Sequence, residues 1–126
     1  ITQKPKNVTV LGAVKNDELI SIFSRCEFYF QLSIAEGFPN SLCEAMLCEC
    51  IPIGSNVFSI PEIIGDSGFV LKTRNANNLI ELVTNALQAD KDLLRKKTRL
   101  RIIENYTLQD RSKKLLTLCA KLIEEQ

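Results

Sequence analysis

The chain has 126 residues, enough for one domain around one core, and its 16 Lys and Arg against 15 Asp and Glu leave a net charge of +1. That balance excludes the strongly basic surface of a general nucleic-acid binder, and 45% hydrophobic residues is the composition of an ordinary soluble globular domain. No run approaches the ~20 apolar residues of a membrane span and no signal peptide is visible, while the absence of histidine removes Ser-His and Cys-His nucleophile pairs and the commonest general base.

Taken in chain order, hydrophobic spacing predicts a strand over 8–11, a helix over 17–25, a strand over 28–32, a helix over 41–48, a strand over 52–54, a short helix over 61–64 and a strand over 69–71. Strands alternating with helices imply one parallel sheet with right-handed crossovers, here of four strands: an α/β, Rossmann-like layer with flanking helices. After Leu71 the pattern becomes helical. Leu79, Ile80, Val83 and Leu87 mark one helix, Leu93 and Leu94 onward to Ile103 a second, and Leu115, Leu118, Cys119, Leu122 and Ile123 a third, capped by residues 107–110. Residues 1–90 thus form the α/β part and 91–126 a helical C-terminal end, with no repeat and no low-complexity linker.

Cys26, Cys43, Cys48, Cys50 and Cys119 are odd in number and sit in apolar surroundings, so they read as buried reduced thiols of a cytoplasmic protein. The closest three lack the paired C-x-x-C spacing of zinc sites, and no metal is expected.

The run from Ser33 to Met46 carries Glu36 and Glu44 with seven residues between them. A loop with Gly37 and Pro39 brings Glu36 to the carboxyl end of a strand and Glu44 to the first turns of the next helix, in the crevice where open α/β sheets bind ligands. Exposed N–H groups at that helix start favour an anion such as a diphosphate, and ionised carboxylates accept from sugar hydroxyls. Two plainer accounts exist. Ser41 and Glu44 also fit a capping box, and Glu36, Gly37 and Pro39 could be ordinary loop residues.

In its Ser33-x-x-Glu36-Gly37-Phe38-Pro39 setting, this run resembles the acidic signature of retaining, nucleotide-sugar-dependent glycosyltransferases of the GT-B fold, the group 1 type. The likeness extends upstream through Val10 to Val14 and Asp17 to Leu19, and downstream through Ser55 to Val57, Ile60 to Ile64 and Gly65 to Leu71, covering roughly residues 8 to 90. It implies that Glu36 is the catalytic-site carboxylate contacting the donor sugar, with Gly37 and Phe38 seating that sugar. Asn40, Ser41 and Leu42 would face the diphosphate, and Glu44 the ribose hydroxyls. No metal or other cofactor is implied beyond the nucleotide-sugar donor itself.

The departures are specific. Glu49 stands where the family often has a helix-ending glycine, so the helix is expected to end differently, its cap shifted by a residue. Pro52 lies one place late, and Phe58 and Ser59 replace two common glycines, which predicts a bulkier loop beside the site. Family members have two domains, the acceptor being bound mainly by the N-terminal one. The chain is therefore expected to be part of the C-terminal donor-binding domain of a larger enzyme, inactive by itself, whose last helix returns to the N-terminal domain. The resemblance implies hexose transfer from a nucleotide diphosphate sugar to a glycan or lipid-linked acceptor, as in polysaccharide biosynthesis. A GT-B nucleotide-sugar epimerase and a non-catalytic nucleotide-sugar-binding or structural α/β module are the alternatives. Lys91, Arg95, Lys96, Lys97, Arg99 and Arg101 read first as a solvated helix face, and second as a surface drawn to anionic lipid at the inner face of the membrane.

Overall fold

The computed structural model describes residues 4–124. Its elements in chain order are α1 (Asn16–Phe23), β1 (Phe28–Gln31), α2 (Asn40–Leu47), β2 (Ile51–Ser55), α3 (Ile60–Ile64), β3 (Phe69–Leu71), α4 (Ala76–Gln88), α5 (Lys91–Asn105) and α6 (Leu108–Glu124). The strands form one parallel sheet in the order β1-β2-β3, with Phe28 opposite Ile51 and Ile53 opposite Phe69. Central β2 is buried at all five positions, as expected of a parallel strand covered on both faces. This is the expected Rossmann-like α/β layer with flanking helices and a helical C-terminal end.

The expected fourth strand does not form. Residues 8–11 join no ladder; Val8 donates only to the Pro5 carbonyl at 3.1 Å, and Val8, Val10 and Leu11 are largely exposed. An extended segment becomes a strand through a partner edge, and among the described residues none lies beside it.

The core lies between the sheet and the helices α2, α3 and α5, where Leu42, Met46, Ile60, Ile63, Ile64 and Ile102 form one cluster. Gly54 lets α3 approach β2 closely: a Cβ there would stand 2.5 Å from Ile60 Cγ2 and 2.7 Å from Ile64 Cδ1. Helix α6 differs from the rest, because none of its residues is buried. The cysteine expectation holds for Cys50, which is buried, and partly for Cys26, Cys43 and Cys48; Cys119 is exposed because it rides on α6. Burial pushes the Cys43 and Cys50 thiols up to about 11.

The end of α2 corrects the expected shift of its cap. Glu49 takes the left-handed conformation itself, with φ 66°. The Glu49 amide donates to the Met46 carbonyl and the Cys50 amide to that of Ala45, both at 3.0 Å, which is the Schellman arrangement with a glutamate in the glycine position. Phe58 likewise adopts φ 44° in the loop after β2. Both glycine-like backbone shapes are therefore kept without glycine, at a cost of about 1 kcal/mol each.

Two stability changes follow from these observations. Glu49→Gly is expected to stabilise the chain by about 1 kcal/mol in urea unfolding, since it relieves the left-handed strain; a lower midpoint would show that the cap is not strained. Thr98 is fully buried and its hydroxyl has no hydrogen-bond partner among the described residues. Thr98→Val removes that orphan group at nearly the same shape, so it too is expected to stabilise, by roughly 1 kcal/mol. An unchanged or lower unfolding free energy would mean that the hydroxyl is satisfied in solution.

Candidate functional site

The carboxyl ends of the strands carry three loops, and cross-links between side chains and backbone gather them. Ser55, at the end of β2, donates to the Ser33 carbonyl at 2.7 Å, and Arg74 from the loop after β3 donates to the same carbonyl at 2.5 Å. Ser59 donates to the Gly37 carbonyl at 2.5 Å. The loop from Leu32 to Pro39 is thus held from both neighbouring loops.

Glu36 is half-buried in that loop. Its Oε2 lies 3.4 Å from Gln31 Nε2 and 3.5 Å from Ser33 Oγ. Gln31 Nε2 also donates to Ser33 Oγ at 2.7 Å, and the Tyr29 hydroxyl, 2.9 Å from Gln31 Oε1, lies 3.0 Å from Ser41 Oγ. A polar chain therefore runs from Glu36 through Gln31 and Tyr29 to Ser41 in the first turn of α2. Sequence reasoning missed Tyr29, Gln31 and Ser33 as parts of this site. The available signal was their alternate spacing, which puts three hydrogen-bonding side chains on one face of a strand and its extension.

Helix α2 begins one residue earlier than expected. Pro39 is its N-cap and provides no side-chain cap, Ser41 is already inside the helix, and the exposed Glu44 carboxylate makes no hydrogen bond among the described residues. The capping-box account of Ser41 and Glu44 is therefore not the arrangement found. Of the three residues expected to face a diphosphate, Leu42 has its side chain in the core and its amide on the Pro39 carbonyl at 3.1 Å. The amides of Asn40 and Ser41 remain as the donors without a backbone partner at the positive end of the helix.

Gly37 faces open space, where an added Cβ would meet nothing within 4 Å. Phe38 is half exposed, its ring 5.9 Å from that of Tyr106. On this side a cleft of about 650 Å³ opens between the loop, α3 and the start of α6; Phe38, Asn40, Glu62, Tyr106, Arg111 and Lys114 are among its walls. Neither Glu36 nor Glu44 lines it. The structure thus brings Glu36, Gly37, Asn40 and Ser41 to one end of the sheet, with Glu44 a turn further along α2 and the cleft beside rather than between the carboxylates. No group of three or more Cys, Asp or Glu among the described residues is arranged to hold a metal ion.

A parallel sheet with loops gathered at its carboxyl ends, an acidic loop and a bare helix start is the arrangement in which open α/β domains hold ligands. The fold is similar to that of sucrose-phosphate synthase from Thermosynechococcus elongatus, with a TM-score of 0.76 and 21% identity over 94% of this chain and 31% of that one. The chain belongs to the family described as glycosyl transferases group 1, whose sequence pattern matches residues 2–109. Similar curated proteins include the O-antigen chain mannosyltransferase B of Escherichia coli, 30% identical over 66% of this chain and 22% of that protein. The serotype-specific mannosyltransferase WbdA of Escherichia coli is 30% identical over 60% of this chain and 9% of its own length. A third, the N-acetylgalactosamine-N,N'-diacetylbacillosaminyl-diphospho-undecaprenol 4-alpha-N-acetylgalactosaminyltransferase of Campylobacter jejuni, is 31% identical over 68% of this chain. The chain spans only 9% to 24% of the length of these three relatives.

The α6 wall of the cleft starts at a reciprocal cap. The Thr107 hydroxyl lies 2.6 Å from Asp110 Oδ2, and the Asp110 amide donates to Thr107 Oγ1 at 3.1 Å. The hydroxyl's hydrogen bond holds the Asp110 carboxyl below its ordinary range. A depressed carboxyl contributes stability that is complete above its unfolded pKa, near ~3.9, and disappears as pH falls through the folded value. Protection factors of the α6 amides, taken against the intrinsic exchange rate at each pH, are expected to fall below pH ~4, and Asp110→Ala to show the lower protection already at pH 7. Unchanged protection of α6 in that variant would mean that the cap does not hold the helix.

Proposed function

We propose that this chain is the donor-binding part of a retaining glycosyltransferase that moves a hexose from a nucleotide diphosphate sugar to a glycan or lipid-linked acceptor. The observation that carries this reading is the polar chain joining Glu36 to the start of α2, which ties the acidic loop to the helix terminus. Glu36 acts as the catalytic-site carboxylate on the donor sugar, which sits over the open face of Gly37 and beside Phe38. The Asn40 and Ser41 amides, with the turn through Leu42, receive the diphosphate. Glu44, free of the capping bond that would occupy it, receives the ribose hydroxyls. The donor is held by fixed dipoles and hydrogen bonds, with no metal or cofactor in the reaction, since preorganised donors and a helix terminus can stabilise a leaving diphosphate. The chain covers a small share of the length of its relatives, so the acceptor is assigned to other parts of the enzyme and the chain alone is expected to transfer no sugar. The mannosyltransferases among its relatives make mannose the first donor sugar to try.

The two carboxylates are expected to fail in different ways in the full-length enzyme. Glu44→Gln weakens binding of the free nucleoside diphosphate about tenfold, as loss of a charge-assisted hydrogen bond does. Glu36→Gln leaves that affinity within about twofold and lowers kcat at least a hundredfold, because contacts that strengthen in the transition state appear in the rate. Calorimetry with the nucleoside diphosphate and steady-state kinetics with the sugar nucleotide distinguish them. Equal loss of nucleotide affinity in both variants, or none in either, would overturn this division of roles.

A further inference from the structure

The cleft beside the Phe38 loop has walls of complementary character. On α6, Arg111 and Lys114 are three residues apart and so lie on one helix face. Neither forms an ion pair or a side-chain hydrogen bond among the described residues; the Lys114 ammonium instead stands 5.6 Å from the centroid of the Tyr106 ring. Across the cleft, the Glu62 side chain is exposed, and among the described residues neither its carboxylate has a cation within ion-pair distance nor the Asn40 side-chain amide a hydrogen-bond partner. Phe38 and Tyr106, tilted by 46° to each other, supply an aromatic surface next to these groups.

We propose that this cleft is a second ligand site, which binds a phosphorylated sugar unit: its phosphate on Arg111 and Lys114, its hydroxyls toward Glu62 and Asn40, and its apolar ring face on Phe38 and Tyr106. Two unpaired cations suit a phosphate oxyanion, an arginine and a lysine offering directed and mobile donors together. A carboxylate and a side-chain amide suit hydroxyls. The volume of about 650 Å³ lies within the range of sites for such ligands. The site stands on these walls alone. It shares Phe38 and Asn40 with the donor reading, whereas its phosphate is held by Arg111 and Lys114, which that reading does not use, so loss of binding in the Arg111 and Lys114 variant bears on this site alone.

The test is nuclear magnetic resonance titration of the isotope-labelled full chain with a hexose phosphate, the unphosphorylated hexose and inorganic phosphate. The hexose phosphate is expected to shift the resonances of Asn40, Tyr106, Arg111 and Lys114, and the free hexose to bind at least tenfold more weakly. The double variant Arg111→Gln, Lys114→Gln is expected to lose at least tenfold in affinity while melting at the same temperature, since neither side chain is buried. Glu44→Gln leaves this binding unchanged. Vesicles containing phosphatidic acid identify the source of the phosphate: cosedimentation that the hexose phosphate displaces supports a lipid-borne phosphate, and its absence alongside hexose phosphate binding supports a soluble one. No binding of the hexose phosphate, shifts confined to the start of α2, or equal affinity in the double variant overturns the proposal.

Discussion

The arrangement of the helices over the sheet depends on two arginines of α5 that reach the carbonyl ends of its neighbours. Arg99 donates to the Leu47 carbonyl at the end of α2, and Arg101 donates through Nε to the Ile63 carbonyl at 2.6 Å and through Nη2 to that of Glu62. These are orphan carbonyls of helix ends, where a guanidinium supplies the missing donors and a favourable charge together. The same residues explain Gly65, which ends α3 at φ 53°: any side chain there would run into the Arg101 guanidinium. Since the opposite ends of α2 and α3 face the loops of the candidate site, fixing the carbonyl ends from α5 also fixes where the amide ends point.

This use of charge gives the basic helix a character different from either account suggested by its composition. Lys91 pairs with Glu27 at 3.0 Å and lies over the Phe28 ring, and Lys97 pairs with Asp66 at 2.7 Å. With Arg99 and Arg101 committed to carbonyls, most of the run ties α5 to the body of the domain. Only Arg99 and Arg101 are committed to the ends of α2 and α3, while Arg95 and Lys96 make no side-chain hydrogen bond or ion pair among the described residues. The sequence shows a charged face but not its partners, because carbonyls at helix ends leave no mark on composition.

The alternation of strands and helices was legible because it depends on local spacing, and β3 and the helix bearing Glu44 lie within a residue of where periodicity puts them. The failures came where local preference and tertiary demand part. Residues 8–11 have the composition of a strand, but a strand is made by its neighbour. Glu49 and Phe58 are poor formers of left-handed backbone, yet the packing of α2 and the loop after β2 impose it, at strain small against the burial of Leu42 and Met46. In the site, the acidic loop was legible from residues close in sequence. The link from Tyr29 to Ser41 and the Tyr106 wall were not, since they join residues 12 and 44 positions apart.

Tyr106 is where these long-range effects converge. It ends α5, donates its hydroxyl to the Glu62 carbonyl at 3.2 Å, sets its ring against Phe38 and has the Lys114 ammonium 5.6 Å from its ring centroid. Helix α6 buries none of its own residues, and a helix of that length without burial is only marginally stable in water. Its direction is therefore set at its first turn, by the Thr107 and Asp110 cap and by the tyrosine just before it. The Phe38 loop, the start of the C-terminal helix and the Lys114 cation of the cleft consequently meet at one residue, and because Tyr106 also packs against the core cluster of Leu42, Met46 and Ile102, that meeting point is fixed by the core of the domain.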